Sequence, residues 1–144
     1  MPEFKCYFLD FDVETNPNPN IYRDYFINFS PNDWIRGAGD AVFDAKCENG
    51  DVATLSLLAG HQNKISIRFN HRVSGERKGV ESYSLASQEL INTIKDVGDD
   101  QFAPLGTFLE PEIAWLVIED FFVNPIQKSD KIEWIKSDLI QWPE

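Results

Sequence analysis

A run of alternating segments and tight-turn signals in the middle of the chain constrains the fold most. The segments AVFDAKC (41–47) and DVATLSLLAG (51–60) flank the pair Asn49-Gly50, which is typical of a two-residue hairpin turn. A second turn signal leads to KISIRFNHR (64–72), which alternates apolar and polar residues with a period of two. The pattern predicts a meander of three antiparallel strands with one face in water.

The flanking segments add strands before the meander and helices after it. The predicted strands are FKCYFLDFDV (4–13), DYFINF (24–29) and KIEWIKSDLI (131–140), and the predicted helices are SQELINTIKDVG (87–98) and EPEIAWLVIEDFFVNP (110–125). Apolar residues at three- and four-residue spacing indicate both helices, and prolines bound the second. Segment 31–40 is predicted to be a loop and RVSGERKG (72–79) a hairpin tip. This order predicts an α+β fold, a mainly antiparallel sheet with two main helices packed on one face, in one domain spanning residues 1–144.

The balance of charges indicates which kinds of partner the protein can bind. The chain has 24 acidic and 13 basic residues, and therefore a formal net charge of −11. This balance argues against direct binding of nucleic acid, because an acidic surface cannot neutralise a row of phosphates. An acidic field attracts basic partners and speeds their encounter, although solubility alone also explains such a charge.

The cysteines and the absence of targeting patterns bear on the compartment. Cys6 and Cys47 lie far apart in apolar segments, which is typical of reduced, buried thiols in a cytosolic protein. The sequence shows no basic segment followed by an apolar stretch, as a signal peptide would, and no apolar run of a membrane span's length. We therefore expect a cytoplasmic protein that contacts no membrane.

The stretch FLDFDVET (8–15) raises a catalytic alternative. In a strand, Asp10, Asp12 and Glu14 would point to one face, where divalent metal ions could bind and polarise a phosphodiester. The stretch resembles the opening motif of metal-dependent 3′–5′ exonucleases, which implies two further aspartates at characteristic places. Neither histidine of the chain is followed by such an aspartate. A divergent metal-dependent phosphodiesterase is kept as an alternative function.

The last third of the chain contains an ordered set of features: an irregular segment, a helix, a short loop with a proline, and an apolar-x-Trp strand. The residues that carry this pattern are Ala114, Phe121, Pro125, Ile132 and Trp134. In this order they resemble a family of small immunity proteins from bacterial polymorphic-toxin and contact-dependent growth inhibition systems. The resemblance spans roughly residues 52–136 in outline, and Asn124 replaces the family's usual glycine before the proline of the loop.

The resemblance implies a non-covalent inhibitor that needs no cofactor and has no catalytic residue. Such a protein binds a cognate toxin domain, often a nuclease with a basic surface, as a monomer in a one-to-one complex. We expect acids in turns and aromatic residues in loops to make the contacts. The candidate contact residues are Asp40, Asp44, Asp51, Asp99, Asp100, Trp34 and Tyr22. An acidic adaptor domain of another pathway is a third hypothesis.

Overall fold

The computed structural model describes residues 2–34, 40–97 and 102–142. In the described residues the strands are β1 (Glu3–Phe8), β2 (Glu14–Thr15), β3 (Asp40–Lys46), β4 (Val52–His61), β5 (Lys64–Arg72), β6 (Val80–Leu85), β7 (Ile94–Asp96), β8 (Phe102–Pro104), β9 (Phe108–Leu109) and β10 (Glu133–Lys136). The α-helices are α1 (Asn20–Ile27), α2 (Pro31–Trp34) and α3 (Pro111–Val123), and short 3₁₀ turns cover Leu105–Thr107 and Ser137–Leu139.

The predicted central meander is confirmed. β3 pairs antiparallel with β4, with Lys46 opposite Val52, and Gly50 closes the turn with a φ of 94° that glycine adopts readily. β4 pairs antiparallel with β5 through Gln62 and Asn63, whose φ values of 53° and 58° are those of a two-residue hairpin turn. Both turn signals in the sequence therefore mark the two reversals of the meander.

The meander is the centre of a larger antiparallel sheet. The strands lie side by side in the order β10-β6-β5-β4-β3-β1-β2, and β9 pairs with the beginning of β5. β7 and β8 pair with each other in a separate two-stranded sheet. The predicted hairpin tip at 72–79 joins β5 to β6. The strand predicted at 131–140 is confirmed only at Glu133–Lys136, as β10 at the edge of the large sheet, because a 3₁₀ turn follows at Ser137–Leu139.

One face of the large sheet, here called the inner face, packs against all three helices. Its buried side chains include Cys6, Phe8, Phe43, Leu55, Ile67 and Phe69. The same hydrophobic cluster contains Tyr22, Phe26, Trp34, Ala114, Val117, Ile118 and Phe121 from the helices. The predicted α+β class, a mainly antiparallel sheet with two longer helices on one face, is confirmed, and the two longer helices are α1 and α3.

The helix predicted at 110–125 is confirmed as α3, whereas the helix predicted at 87–98 is wrong. Residues 87–97 form turns and then β7, because their backbone pairs with a distant part of the chain, and residue 98 lies outside the described residues. The N–H groups of Ala86 and Ser87 donate to the carbonyl of Gly106, whose own N–H donates to Leu90. Long-range hydrogen bonds thus replace the local ones of a helix.

Two predictions in the N-terminal part are wrong as well. The segment 24–29 lies in and just after helix α1 rather than in a strand, because Tyr22 and Phe26, four residues apart, both point into the core. The predicted loop 31–40 begins with the short helix α2, and residues 35–39 of that loop lie outside the described residues.

A buried serine completes the sheet where β6 and β9 meet along the same edge of β5. β9 pairs as far as Ser66 and β6 pairs from Arg68, so Ile67 lies between the two pairings. The N–H of Ile67 donates to Ser84 Oγ at 3.1 Å, and the Ser84 hydroxyl donates to the carbonyl of Thr107. One hydroxyl therefore satisfies two buried backbone groups.

We expect Ser84→Ala to lower the free energy of unfolding by about 2 kcal/mol, because it leaves these two backbone groups buried without partners. Urea denaturation followed by circular dichroism measures the change. Ser82→Ala is the matched control: Ser82 is also buried on β6, and its hydroxyl receives only a 3.5 Å contact from Lys128. Equal losses for the two variants would show that the bridging hydrogen bonds contribute nothing.

Candidate binding surface

The face of the large sheet opposite the helices, here called the outer face, is only half-buried. Along β3 and β4 the buried residues alternate with half-exposed ones, as strand geometry requires when only one face is covered. The half-exposed residues on this face are Val42, Asp44, Thr54, Ser56 and Leu58. The outer face is therefore a surface on which a partner could lie.

A cleft of about 260 Å³ lies on the outer face, beside the two-stranded β7–β8 sheet. Strands β3, β4, β5 and β6 of the large sheet line it on one side with Asp40, Val42, Ser56, Leu58, Arg68 and Tyr83. Phe102 and Ala103 of β8 line the other side, and 62% of Phe102 is exposed. The cleft thus combines apolar walls with two charged groups and an accessible aromatic ring.

The two charged groups of the cleft differ in how they are compensated. Arg68 Nε lies 3.7 Å from Glu81 Oε2, so its charge has an anionic neighbour. Partial burial raises the pKa of the Asp40 carboxyl, and a hydrogen bond from its own backbone N–H acts in the opposite direction. Among the described residues, none forms a salt bridge with Asp40.

The predicted contact residues fall into different surroundings. Asp40 lies at the cleft, and Asp44 lies on the outer face, where its Oδ1 accepts a hydrogen bond from Thr54 Oγ1 at 2.7 Å. Asp51 is 7% exposed and is held by hydrogen bonds. Asp99 and Asp100 lie outside the described residues. The structure therefore places Asp40 and Asp44 on the same face of β3, four residues apart, and separates Asp51 from them.

The two aromatic candidates do not lie in exposed loops, as the sequence led us to expect. Tyr22 is 3% exposed in α1 and Trp34 is 2% exposed in α2. Both rings pack against Phe8, with centroid distances of 4.7 Å and 5.4 Å. The expectation of exposed loop anchors is wrong because the turn-rich segments around these residues form helices whose apolar sides cover the sheet.

The prediction of one strand that presents Asp10, Asp12 and Glu14 on a single face is also wrong. β1 ends at Phe8, because Leu9 takes a positive φ of 53° and the N–H of Phe11 turns back to the carbonyl of Phe8. Asp10 and Asp12 are exposed in and after this turn, and Glu14 lies on the separate edge strand β2. The three carboxylates therefore do not share one strand face. The part of the chain that the structure describes contains no group of three potential ligands arranged to hold a metal ion.

The cysteines lack the surroundings of a nucleophile. Burial raises the pKa of the Cys6 thiol to about 12. Burial, and then the charge of Asp51, raise the pKa of the half-buried Cys47 thiol. Both groups are therefore neutral thiols at physiological pH, whereas catalysis by cysteine requires the thiolate.

Asp51 is the structural centre of the tip of the β3–β4 hairpin. Its Oδ1 accepts from the N–H of Ser74 at 2.9 Å, its Oδ2 lies 3.0 Å from His71 Nε2, and its own N–H donates to Asn49 Oδ1. The hydrogen bond from Ser74, followed by that from His71, lowers the pKa of the Asp51 carboxyl. The residue predicted as a toxin contact therefore connects the β3–β4 turn to the end of β5.

We expect Asp51→Asn to destabilise the protein at neutral pH and to flatten the acid side of its stability profile. A carboxyl whose pKa is lowered by folding stabilises the native state above its unfolded pKa of about 3.9, and this contribution disappears as the pH falls through the folded value. Urea midpoints from pH of about 7 to about 3 measure the effect. Asp130→Asn, whose side chain is 94% exposed, is the control. Parallel profiles of wild type and Asp51→Asn would contradict the prediction.

The site also contains Arg68, Tyr83 and Phe102, which the sequence patterns did not predict as parts of it. Alternation along 64–72 does place Arg68 on the face opposite Ile67, but it does not show which side chains of other strands lie beside it. That information comes from the strand order, which sets β3 two positions from β5.

Comparison of the chain with protein-family models, with curated proteins and with solved structures finds no match. None of the helices in the described ranges has the length and hydropathy needed to cross a bilayer. Function is therefore inferred from this chain's own residues and fold.

Proposed function

We propose that this chain is an immunity protein of a bacterial toxin system, which binds a cognate toxin domain and neutralises it without covalent chemistry. The observation that carries the proposal is the half-exposed outer face with its cleft, on a chain whose formal net charge is −11. The inner face is used for the core, so the outer face is the broad sheet surface on which a partner can bind.

The charge indicates the chemistry of the partner. An excess of 11 acidic over basic residues favours a partner with a basic surface, because complementary potentials steer the two proteins together. Toxin domains that act on nucleic acids need basic surfaces for their substrates. We therefore propose a nuclease or another nucleic-acid-targeting toxin, inhibited in the cytoplasm by a cover over its active site or by stabilisation of an inactive form.

The resemblance in the C-terminal third supports the same class through its core positions. Ala114 and Phe121 of α3 are buried, and Pro125 is buried in the loop that follows. Trp134 packs against Phe69 at a centroid distance of 6.0 Å and donates its Nε1–H to the carbonyl of Ser129 at 2.8 Å. These side chains pack the core of the fold, so the positions that carry the resemblance are structural.

Two alternative functions make different demands on the same residues. The metal-dependent phosphodiesterase depended on three carboxylates on one strand face, and β1 ends before the first of them. An acidic adaptor of another pathway would use the same outer face, so only the identity of the partner separates it from an immunity protein.

Co-expression with the toxin domain encoded directly upstream tests the proposal. Only one of the two chains carries a tag, and the eluate is run on a sizing column in about 0.5 M salt, which screens weak surface attraction. We expect one copy of each chain to elute as a stable complex, and cells that express this chain to survive the toxin.

Two failures together would reject the proposal: a chain that elutes alone, and cells that die despite its expression. Survival without a stable complex would instead contradict the direct binding that the proposal requires. A toxin that is bound but stays active would support the adaptor function.

A further inference from the structure

We infer that the cleft on the outer face receives an arginine side chain of the partner, with Asp40 as the anion that pairs with the guanidinium group. This inference rests on the proposed function, because it names the group through which a basic toxin domain engages the outer face.

Charge is the first observation. Asp40 lines the cleft without a salt bridge to any described residue, whereas Arg68, the cation of the cleft, has Glu81 at 3.7 Å. Among the described residues, the cleft and its neighbouring glutamate thus carry one negative charge in excess. Asp40 is exposed where it lines the cleft, so its carboxylate is accessible to an arriving cation.

Arg68 does not occupy the place of the arriving cation. Asp40 lies opposite Leu58 and Arg68 opposite Ser56, so the two residues are two strands apart and displaced along them. Neighbouring strands are about 4.8 Å apart, which separates the two backbones by at least about 10 Å. Arg68 and Asp40 form no salt bridge with each other in the described residues, so the Asp40 carboxylate is available to a guanidinium group of the partner.

The size and walls of the cleft favour one long cationic side chain. Its volume of about 260 Å³ is below the range of about 300–1,000 Å³ that is usual for small-molecule sites. Val42 and Leu58 offer apolar surface to an alkyl stem, and the rings of Tyr83 and Phe102 line the same space. Arginine suits these walls better than lysine, because its planar group stacks on aromatic rings and binds carboxylates through two hydrogen bonds.

A titration with N-acetyl-arginine amide, followed by amide chemical shifts of the full chain, tests the cleft without the toxin. We expect concentration-dependent shifts at Val42, Leu58 and Tyr83, and an affinity about tenfold lower in Asp40→Asn, as for the loss of a charge-assisted hydrogen bond. N-acetyl-norleucine amide, which lacks the charge, is the matched probe. Equal shifts with both probes, or an unchanged affinity in Asp40→Asn, would overturn the inference.

Binding to the toxin domain supplies the second measurement. We expect Asp40→Asn to raise the Kd of the complex about tenfold and Asp130→Asn, an equal change of charge at a 94% exposed side chain, to leave it nearly unchanged. Thermal unfolding of each variant verifies that it is folded. A complex with the same Kd for wild type and Asp40→Asn would overturn the inference that Asp40 pairs with an arginine of the toxin domain, and it would leave the proposed function intact. If N-acetyl-arginine amide binds at Asp40 but no complex forms, the cleft does bind an arginine side chain, and the toxin domain is not the protein that supplies it.

Discussion

We expect Phe8→Ala to lower the free energy of unfolding by about 3–5 kcal/mol, the usual cost of removing a fully buried ring. Phe8 is 1% exposed at the end of β1. Its ring lies within 6.2 Å, between centroids, of five other buried or half-buried rings. They are Tyr22, Tyr25, Phe26, Trp34 and Phe43. Since this cluster joins α1 and α2 to the sheet, a cavity there weakens the attachment of both helices.

Urea denaturation of the full chain measures this loss, and Phe102→Ala is its matched control. Both variants remove a phenylalanine ring, but 62% of Phe102 is exposed, so that change should cost less than about 1 kcal/mol. A domain of this size has a total stability of about 5–15 kcal/mol, so the expected loss is readily measured. Similar losses in the two variants would show that the aromatic cluster does not hold the helices to the sheet.

Local patterns in the sequence predicted the structure correctly wherever neighbouring residues determine both the turn and the buried face of the strand. The Asn49-Gly50 pair marks the β3–β4 reversal, and the alternation of 64–72 predicts the inner face of β5, although Ser66 on the opposite face is buried as well. Helix α3 was predictable because Pro111 suits its first turn and its apolar residues recur at helical spacing.

Prediction failed where a distant part of the chain decides the local structure. The segment 87–98 has helical spacing, yet Leu90 is 41% exposed, and the carbonyl of Gly106 takes the hydrogen bonds of Ala86 and Ser87. In the N-terminal part, Leu9 adopts a left-handed conformation that its sequence gives no reason to expect, and this residue ends β1. Both failures arise because long-range contacts override local preference.

The candidate site was only partly predictable for the same reason. An acidic residue after a loop, such as Asp40, is visible in the sequence as a possible contact. Its neighbours in the cleft come from β5, β6 and β8, and only the strand order and the packing of β8 beside the sheet bring them together. The burial of Tyr22 and Trp34 also depends on this packing, since turn-rich surroundings favour exposure.

The net charge predicts that salt strongly slows the association of this chain with the toxin domain. At a formal net charge of −11, we expect the association rate constant to fall at least about tenfold between about 0.05 M and 0.5 M salt, because screening shortens the reach of the acidic field. Stopped-flow or surface binding measurements at several salt concentrations give both rate constants. The dissociation rate constant should change less, because it depends on contacts that already exclude water.

Two kinds of variant distinguish the effect of the overall acidic field from the effect of the single contact at Asp40. Neutralising two exposed acids that do not line the cleft, with Asp130→Asn and Asp138→Asn together, weakens the acidic field and leaves the cleft unchanged. We expect association to slow by less than about twofold and dissociation to stay constant. Asp40→Asn should instead speed dissociation, because it removes the carboxylate that pairs with the partner's guanidinium group. An association rate that does not respond to salt would show that the acidic composition serves solubility alone, and the outer face would then have to recognise its partner by shape and apolar contact.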